Sequence, residues 1–211
     1  MQFDFSQLNQ NERYHLMTQT VVPRPIAWVL TPNNNNQTDE TFNLAPFSFF
    51  NAISAEPALL VLGFTLKSDG SAKDTWENLL AQKSCTIHMA DGAQLDALIK
   101  TSAELPYGQS EVTANNLELT PFQEHPVPRI KAAPVAFACK LHSYQTFGKK
   151  GGSGVVFCEI IHIYIRDTIC TKTAQGRLVV DVAKYMPPAR LGGLNYATAL
   201  HIEQRTRPEK A

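Results

Sequence analysis

Hydrophobic residues in this chain gather in short runs rich in aromatic and β-branched side chains, not in long stretches with a helical period. Ile26-Ala27-Trp28-Val29-Leu30 predicts a strand by length and composition. Phe42 to Asn51 predicts a second extended segment and Leu59 to Phe64 a third. Pro32 and the run Asn33-Asn34-Asn35-Asn36-Gln37 between the first two form a polar hairpin connection. After a polar turn from Lys67 to Lys73, the pattern changes. Asp74 stands where an N-cap would, with Glu77 three residues on, a capping box. Trp76, Leu79 and Leu80 then share one face of a helix. Cys85 to Met89 predicts another strand. Asp91 with Gln94 repeats the capping signal ahead of Leu95, Leu98 and Ile99.

Residues 1–19 are polar with scattered aromatics, a short helix or an irregular arm. Thr101 to Ile130 is irregular. Val135 to Thr146 and Val155 to Ile165 predict two long strands, joined by the glycine-rich stretch Gly148 to Gly154 as a wide, flexible hairpin. Leu178 to Val182 adds a last strand. About six strands and two helices without sustained alternation argue for an all-β barrel with a few helices attached, against a doubly wound sheet. One domain over residues 1–200 and a charged tail from His201 to Ala211 account for the 211 residues.

Composition excludes several classes of function. Formal net charge is zero, so nothing marks nucleic acid or an anionic membrane surface as a partner. No apolar run reaches bilayer length, and no secretory signal pattern follows Met1. The four cysteines, Cys85, Cys139, Cys158 and Cys170, form no C-x-x-C pair, and three sit inside apolar runs. They read as free thiols of a reducing compartment, which places the protein in the cytoplasm. No metal site is expected.

The usual catalytic signatures are absent: no nucleophile elbow, no zinc-binding H-E-x-x-H, no Walker loop and no dinucleotide fingerprint. Three short segments carry the remaining chemistry. Arg24, between Pro23 and Pro25, is stiffened at a strand start. It fits an anion clamp or a surface residue at a strand edge equally well. In Asn43-Leu44-Ala45-Pro46-Phe47-Ser48-Phe49-Phe50-Asn51, an extended chain puts Asn43, Ala45, Phe47, Phe49 and Asn51 on one face. Leu44, Pro46, Ser48 and Phe50 then take the other. Small, amide and aromatic side chains in one strand suit a flat heteroaromatic ligand, although half-buried packing explains them too. Lys73-Asp74-Thr75 sits at the start of the first clear helix, where free N–H groups, a lysine and a hydroxyl suit a phosphate.

Together with Glu56-Pro57, Asn78, and Arg190-Leu191-Gly192-Gly193 with Tyr196, these segments resemble the flavin reductase-like family, the FMN-binding split barrels that include flavoredoxin. The resemblance spans about residues 14 to 196. It implies a split β-barrel with Greek-key topology and a homodimer with FMN near the subunit boundary. It places the flavin ring along Asn43 to Asn51, including Ala45, Pro46, Phe47, Ser48 and Phe49, and the phosphate near Lys73, Asp74, Thr75 and Arg24. The implied activity is an NAD(P)H-dependent flavin reductase or related FMN oxidoreductase. The alternatives are a non-turnover FMN electron carrier and a barrel that has lost its flavin. No residue stands out as catalytic. That absence suits a flavoprotein, whose cofactor carries the electrons while the protein supplies position and electrostatics. Neither NADH nor NADPH is marked as donor.

Overall fold

The computed structural model describes residues 1–33, 41–106, 109–148, 152–199 and 201–206. Residues 34–37 of the Asn run, 149–151 of the glycine-rich joint and 207–211 of the tail lie outside this set. The polar arm contains helix α1 (Gln10–Thr20), opened by a capping box between Asn9 and Glu12. Then follow β1 (Arg24–Pro25), β2 (Ala27–Pro32), β3 (Phe42–Phe47), β4 (Phe50–Ala55), β5 (Ala58–Thr65), α2 (Asp74–Gln82) and β6 (Ser84–Met89). The Asp91–Gln94 capping box forms as expected, over a 3-10 turn that leads into α3 (Leu95–Lys100). The stretch read as irregular holds α4 (Glu111–Ala114) and the short pair β7 (Leu119–Thr120) and β8 (Arg129–Ile130). The long strands are β9 (Val135–Phe147) and β10 (Ser153–Ile165). Beyond them come β11 (Cys170–Lys172), β12 (Leu178–Val180), α5 (Val182–Tyr185), β13 (Ala189–Arg190) and β14 (Tyr196–Ala197). The last expected strand therefore stops at Val180, because Asp181 turns to cap α5.

Seven strands form one antiparallel sheet in the order β3-β2-β6-β9-β10-β5-β4. The sheet edges β3 and β4 are consecutive in the chain, with only Ser48 and Phe49 between them. A flat sheet could not satisfy both facts, so the sheet curls until its edges nearly meet. Gly63 N–H donates to Phe49 O at 2.7 Å across that closure, and a Cβ on Gly63 would lie 2.9 Å from Phe49 Cβ. The result is the expected split barrel. The single extended segment from Phe42 to Asn51 is corrected to two strands with a bend at Ser48 and Phe49, which breaks the alternation and puts Asn51 on β4.

Strand β2 is buried on both faces, as its unbroken apolar run requires. Val29 points into the barrel with Phe47, Leu62, Leu79, Ile87 and Val156. Trp28 and Leu30 point outward into a second cluster with Leu44, Leu98, Val127 and Ile130. Trp28 Nε1 donates to Thr101 Oγ1 at 2.8 Å, which ties the end of α3 to this strand. Helix α2 plugs the barrel through Trp76 and Leu79, and Trp76 stacks on Phe64 with ring centroids 5.9 Å apart. Gly154 is not merely a hinge of the joint: it pairs with Phe64 in the sheet, and a Cβ there would fall 2.2 Å from the Trp76 ring. Close packing of strand on helix end, and not only flexibility, requires glycine at that position.

Among the described residues no helix is long and apolar enough to cross a membrane. No three His, Cys, Asp or Glu side chains gather as metal ligands among them.

Candidate functional site

The helix start at α2 differs from the sequence expectation in one instructive way. Lys73, not Asp74, is the N-cap residue, and no side chain caps the helix. Asp74 is the first helical residue, and its carboxylate is drawn off by Lys67 Nζ at 2.5 Å. The N–H groups of Trp76 and Glu77 donate to Lys73 O, which leaves those of Asp74 and Thr75 at the uncapped start, and the helix dipole adds partial positive charge there. Lys73 Nζ stands 3.6 Å from Glu104 in a half-exposed pair. Such pairs contribute about 0–1 kcal/mol, so Lys73 can exchange that partner for an anionic ligand at little cost.

Thr75 is held from the opposite direction. Asn43 Nδ2 donates to Thr75 Oγ1 at 2.8 Å, with both residues buried, 4% and 1% exposed. This bond fixes the first turn of α2 to β3. Glu111, at the start of α4, accepts from Leu44 N at 2.8 Å and brings the segment after α3 against the same strand. Asn78 in the next turn is fully buried, and its Nδ2 donates to Thr31 and Asn33.

From this end a trough runs along β3. Its narrow part, about 50 Å³, lies among Asn43, Thr75, Lys67, Asp74 and Glu104. Its wider part, about 240 Å³, is floored by Ala45, Pro46 and Phe47 and closed by Ser48 and Phe49 at the bend. Ala45, Phe47, Lys73 and Ser102 border both parts, so the two adjoin along β3. Phe47 meets Phe64 edge-on at 4.8 Å, which makes the floor rigid. Tyr14 of α1 reaches over the wide part and touches the edge of Phe49, with centroids 6.2 Å apart.

Nine of the residues singled out from sequence therefore line one trough: Asn43, Ala45, Pro46, Phe47, Ser48, Phe49, Lys73, Asp74 and Thr75. Two do not. Arg24 is buried beside it, its guanidinium occupied by backbone carbonyls and by Ser48. Asn51 is on β4, exposed, and donates nothing to the trough; its Oδ1 accepts from Ala52 N. Sequence reasoning missed Tyr14, Gly63, Thr65 and Ser102. Gly63 carried a signal, a glycine inside a strand pattern, which marks close backbone approach. Tyr14 carried none, since α1 has no apolar periodicity. A larger hollow of about 490 Å³, at Phe122, Arg129, His162 and Tyr164, includes no exposed helix start and none of the candidate residues.

The chain matches the flavin reductase like domain over residues 17–178. A protein of Aquifex aeolicus is 34% identical over 199 residues, 94% of this chain and 96% of that one. The chain belongs to the flavin reductase-like family. The solved 2-nitrobenzoate 2-nitroreductase NbaA of Pseudomonas fluorescens is 30% identical, with a TM-score of 0.84 over 99% of this chain and 96% of that one. Component B of nitrilotriacetate monooxygenase from Bacillus cereus is 24% identical with a TM-score of 0.85, over 97% and 98% of the two chains, a likeness of fold. In this flavin reductase-like chain the family match takes in the whole of β3 and the start of α2. Tyr14 and the Arg190–Gly193 segment fall outside it.

Proposed function

We propose that this chain binds FMN in the trough, phosphate at the uncapped start of α2 and ring against Ala45 to Ser48, and acts as an NAD(P)H-dependent flavin reductase or related FMN oxidoreductase. The observation that carries this reading is the union of an open helix start, a lysine and a hydroxyl with a flat, rigid floor along one trough. Bound there, FMN supplies a ring that accepts and donates electron pairs. The protein groups position it. Lys73 and the N–H groups of Asp74 and Thr75 meet the phosphate. The Asn43 amide holds the Thr75 hydroxyl in place. Ala45 lets the ring approach the backbone. Ser48 Oγ accepts a hydrogen bond from Arg24 Nε at 3.3 Å, which leaves its own proton free to donate to the polar edge of the ring.

Lys73→Ala is expected to weaken FMN binding by roughly 1–3 kcal/mol, the scale of a charge-assisted hydrogen bond, and to leave riboflavin, which has no phosphate, nearly unaffected. Fluorescence titration of both ligands measures this. Equal loss for the two would remove the phosphate from α2. Steady-state oxidation of NADH and of NADPH by the FMN-loaded protein identifies the donor. Flavin bound without turnover would make the protein an electron carrier instead.

We further propose a cytoplasmic homodimer. The four free cysteines support a reducing compartment. Strand β4 lies at the sheet edge, residues 51–57 are exposed throughout, and Ile53 projects from it, which supports a covering partner there. Light scattering of the flavin-loaded protein at micromolar concentration should give twice the mass of the chain. A monomeric mass with flavin bound would exclude this assembly.

A further inference from the structure

Beyond the bend at Ser48 and Phe49 the molecule opens into another hollow of about 300 Å³. Ser48 and Phe49 line both this space and the trough, so ligands in the two would press on the same two residues. The walls are apolar: Met17 and Val21 at the end of α1, Pro23 and Pro25, and Phe50 beside Phe49. Asn51 adds an amide at the edge.

The remaining wall is Arg24, only 7% exposed. Its Nη1 donates to Thr18 O at 2.5 Å and Val21 O at 2.8 Å, its Nη2 to Leu191 O at 3.2 Å, and its Nε to Ser48 Oγ at 3.3 Å. Every one of these acceptors is neutral. The carbonyls at the end of α1 carry the negative end of a helix dipole, which offsets part of a unit charge. Among the described residues no carboxylate comes within 4 Å of the guanidinium. Arg190 is its cross-strand neighbour and has no carboxylate partner among the described residues either; its Nη1 donates to Asn195 O at 3.4 Å and its guanidinium lies over the Tyr196 ring at 4.5 Å. Burial first, and then the charge of Arg190, hold the Arg24 pKa below its usual value. Arg24 thus brings to one wall of an apolar hollow a charge that no carboxylate balances, and Arg190, which does not itself line the hollow, adds like charge from the neighbouring strand. Buried charge normally has a partner, and here the position for one is the hollow itself.

We propose that this hollow is a second ligand site, adjoining the flavin trough, for a small organic monoanion with a flat apolar body. The volume suits one six-membered ring with its acid group. The apolar walls take the ring, and the field of Arg24 and Arg190 selects the charge. Arg24 acts mainly through that field and through the walls it ties together, since four of its five N–H groups are already engaged. The adjacency to a cofactor rests on the flavin reading above; the hollow and its charge preference do not.

The test is calorimetric titration of the full chain, with and without FMN, using benzoate and its neutral isostere benzamide. Benzoate should bind at least about tenfold more tightly than benzamide, and should perturb the visible flavin band of the loaded protein. Met17→Glu, at the exposed rim of the hollow, should lower benzoate affinity about tenfold or more and leave FMN affinity unchanged. Equal affinity for the two probes, no binding of either, or indifference to Met17→Glu would overturn the proposal. Benzoate binding with this preference to a protein that fails to take FMN would keep the hollow and refute the trough. FMN binding with no benzoate binding would do the reverse.

Discussion

Ala45→Leu is expected to lower affinity for FMN and riboflavin alike by on the order of 100-fold, about 3 kcal/mol, with the fold intact. Ala45 pairs with Val29 in the sheet, and its side chain borders both parts of the trough. A leucine there adds three carbons where the ring must lie. The floor cannot yield. Phe47 is buried and wedged on Phe64, and Val29, paired beside Ala45 on the same face, is fully buried. The added bulk therefore goes into the trough and not into the core, so circular dichroism and thermal unfolding should stay near wild type. The contrast with Lys73→Ala is the decisive feature. Loss at Lys73 depends on the phosphate; loss at Ala45 does not. Wild-type affinity of Ala45→Leu for both ligands would mean that the ring lies elsewhere.

Short runs rich in β-branched and aromatic residues made most of the sheet legible. Val29 and Trp28 went to opposite faces, as alternation requires, and Asn43, Ala45 and Phe47 share the face that borders the trough. Closure of the barrel was not legible. The chain from Phe42 to Asn51 keeps one composition throughout, and the bend at Ser48 arises from a contact with Gly63, which is remote in sequence. The helix at Asp74 was legible, but its cap was not. Asp74 has the right chemistry for an N-cap, but in the fold Lys73 takes the cap position and Lys67 takes the Asp74 carboxylate. Arg24 shows the same limit. Two prolines announce a rigid arginine, yet its targets are carbonyls at Thr18, Val21 and Leu191, and backbone acceptors leave no trace in side-chain pattern. Tyr14 came to the trough on a helix that is mostly polar and has almost no apolar moment around its axis. Pattern reasoning finds apolar stripes, and a single aromatic on a polar helix forms none.

Acidification is expected to destabilise the protein through His88. This residue is fully buried on β6 among the side chains of the outer cluster. Ile130 N–H donates to its Nε2 at 2.9 Å, so the ring proton sits on Nδ1, which donates to Trp28 O at 2.9 Å. Both nitrogens are satisfied only by the neutral ring. A second proton would go on Nε2, against the Ile130 N–H, with no water to solvate the charge. Burial, and to a lesser degree the charge of Arg129, push its pKa from 6.5 down to about 4, against the pull of the Trp28 carbonyl. The unfolded chain therefore takes up a proton between pH 6.5 and 4 that the folded chain refuses. The stabilisation from His88 is complete above pH 6.5, falls with pH through that window and is spent near pH 4. A shift of this size corresponds to about 3 kcal/mol at full extent. His125, half-buried and also held low by desolvation, adds to the same slope. Urea unfolding at pH 7, 5.5 and 4.5 measures the loss. His88→Gln keeps a donor and an acceptor but cannot titrate, so it should be less stable at pH 7 and should lose most of the pH dependence. Carboxylates that titrate near pH 4 contribute equally to both proteins and cancel in the difference. An unchanged slope in His88→Gln would assign the acid sensitivity to other groups.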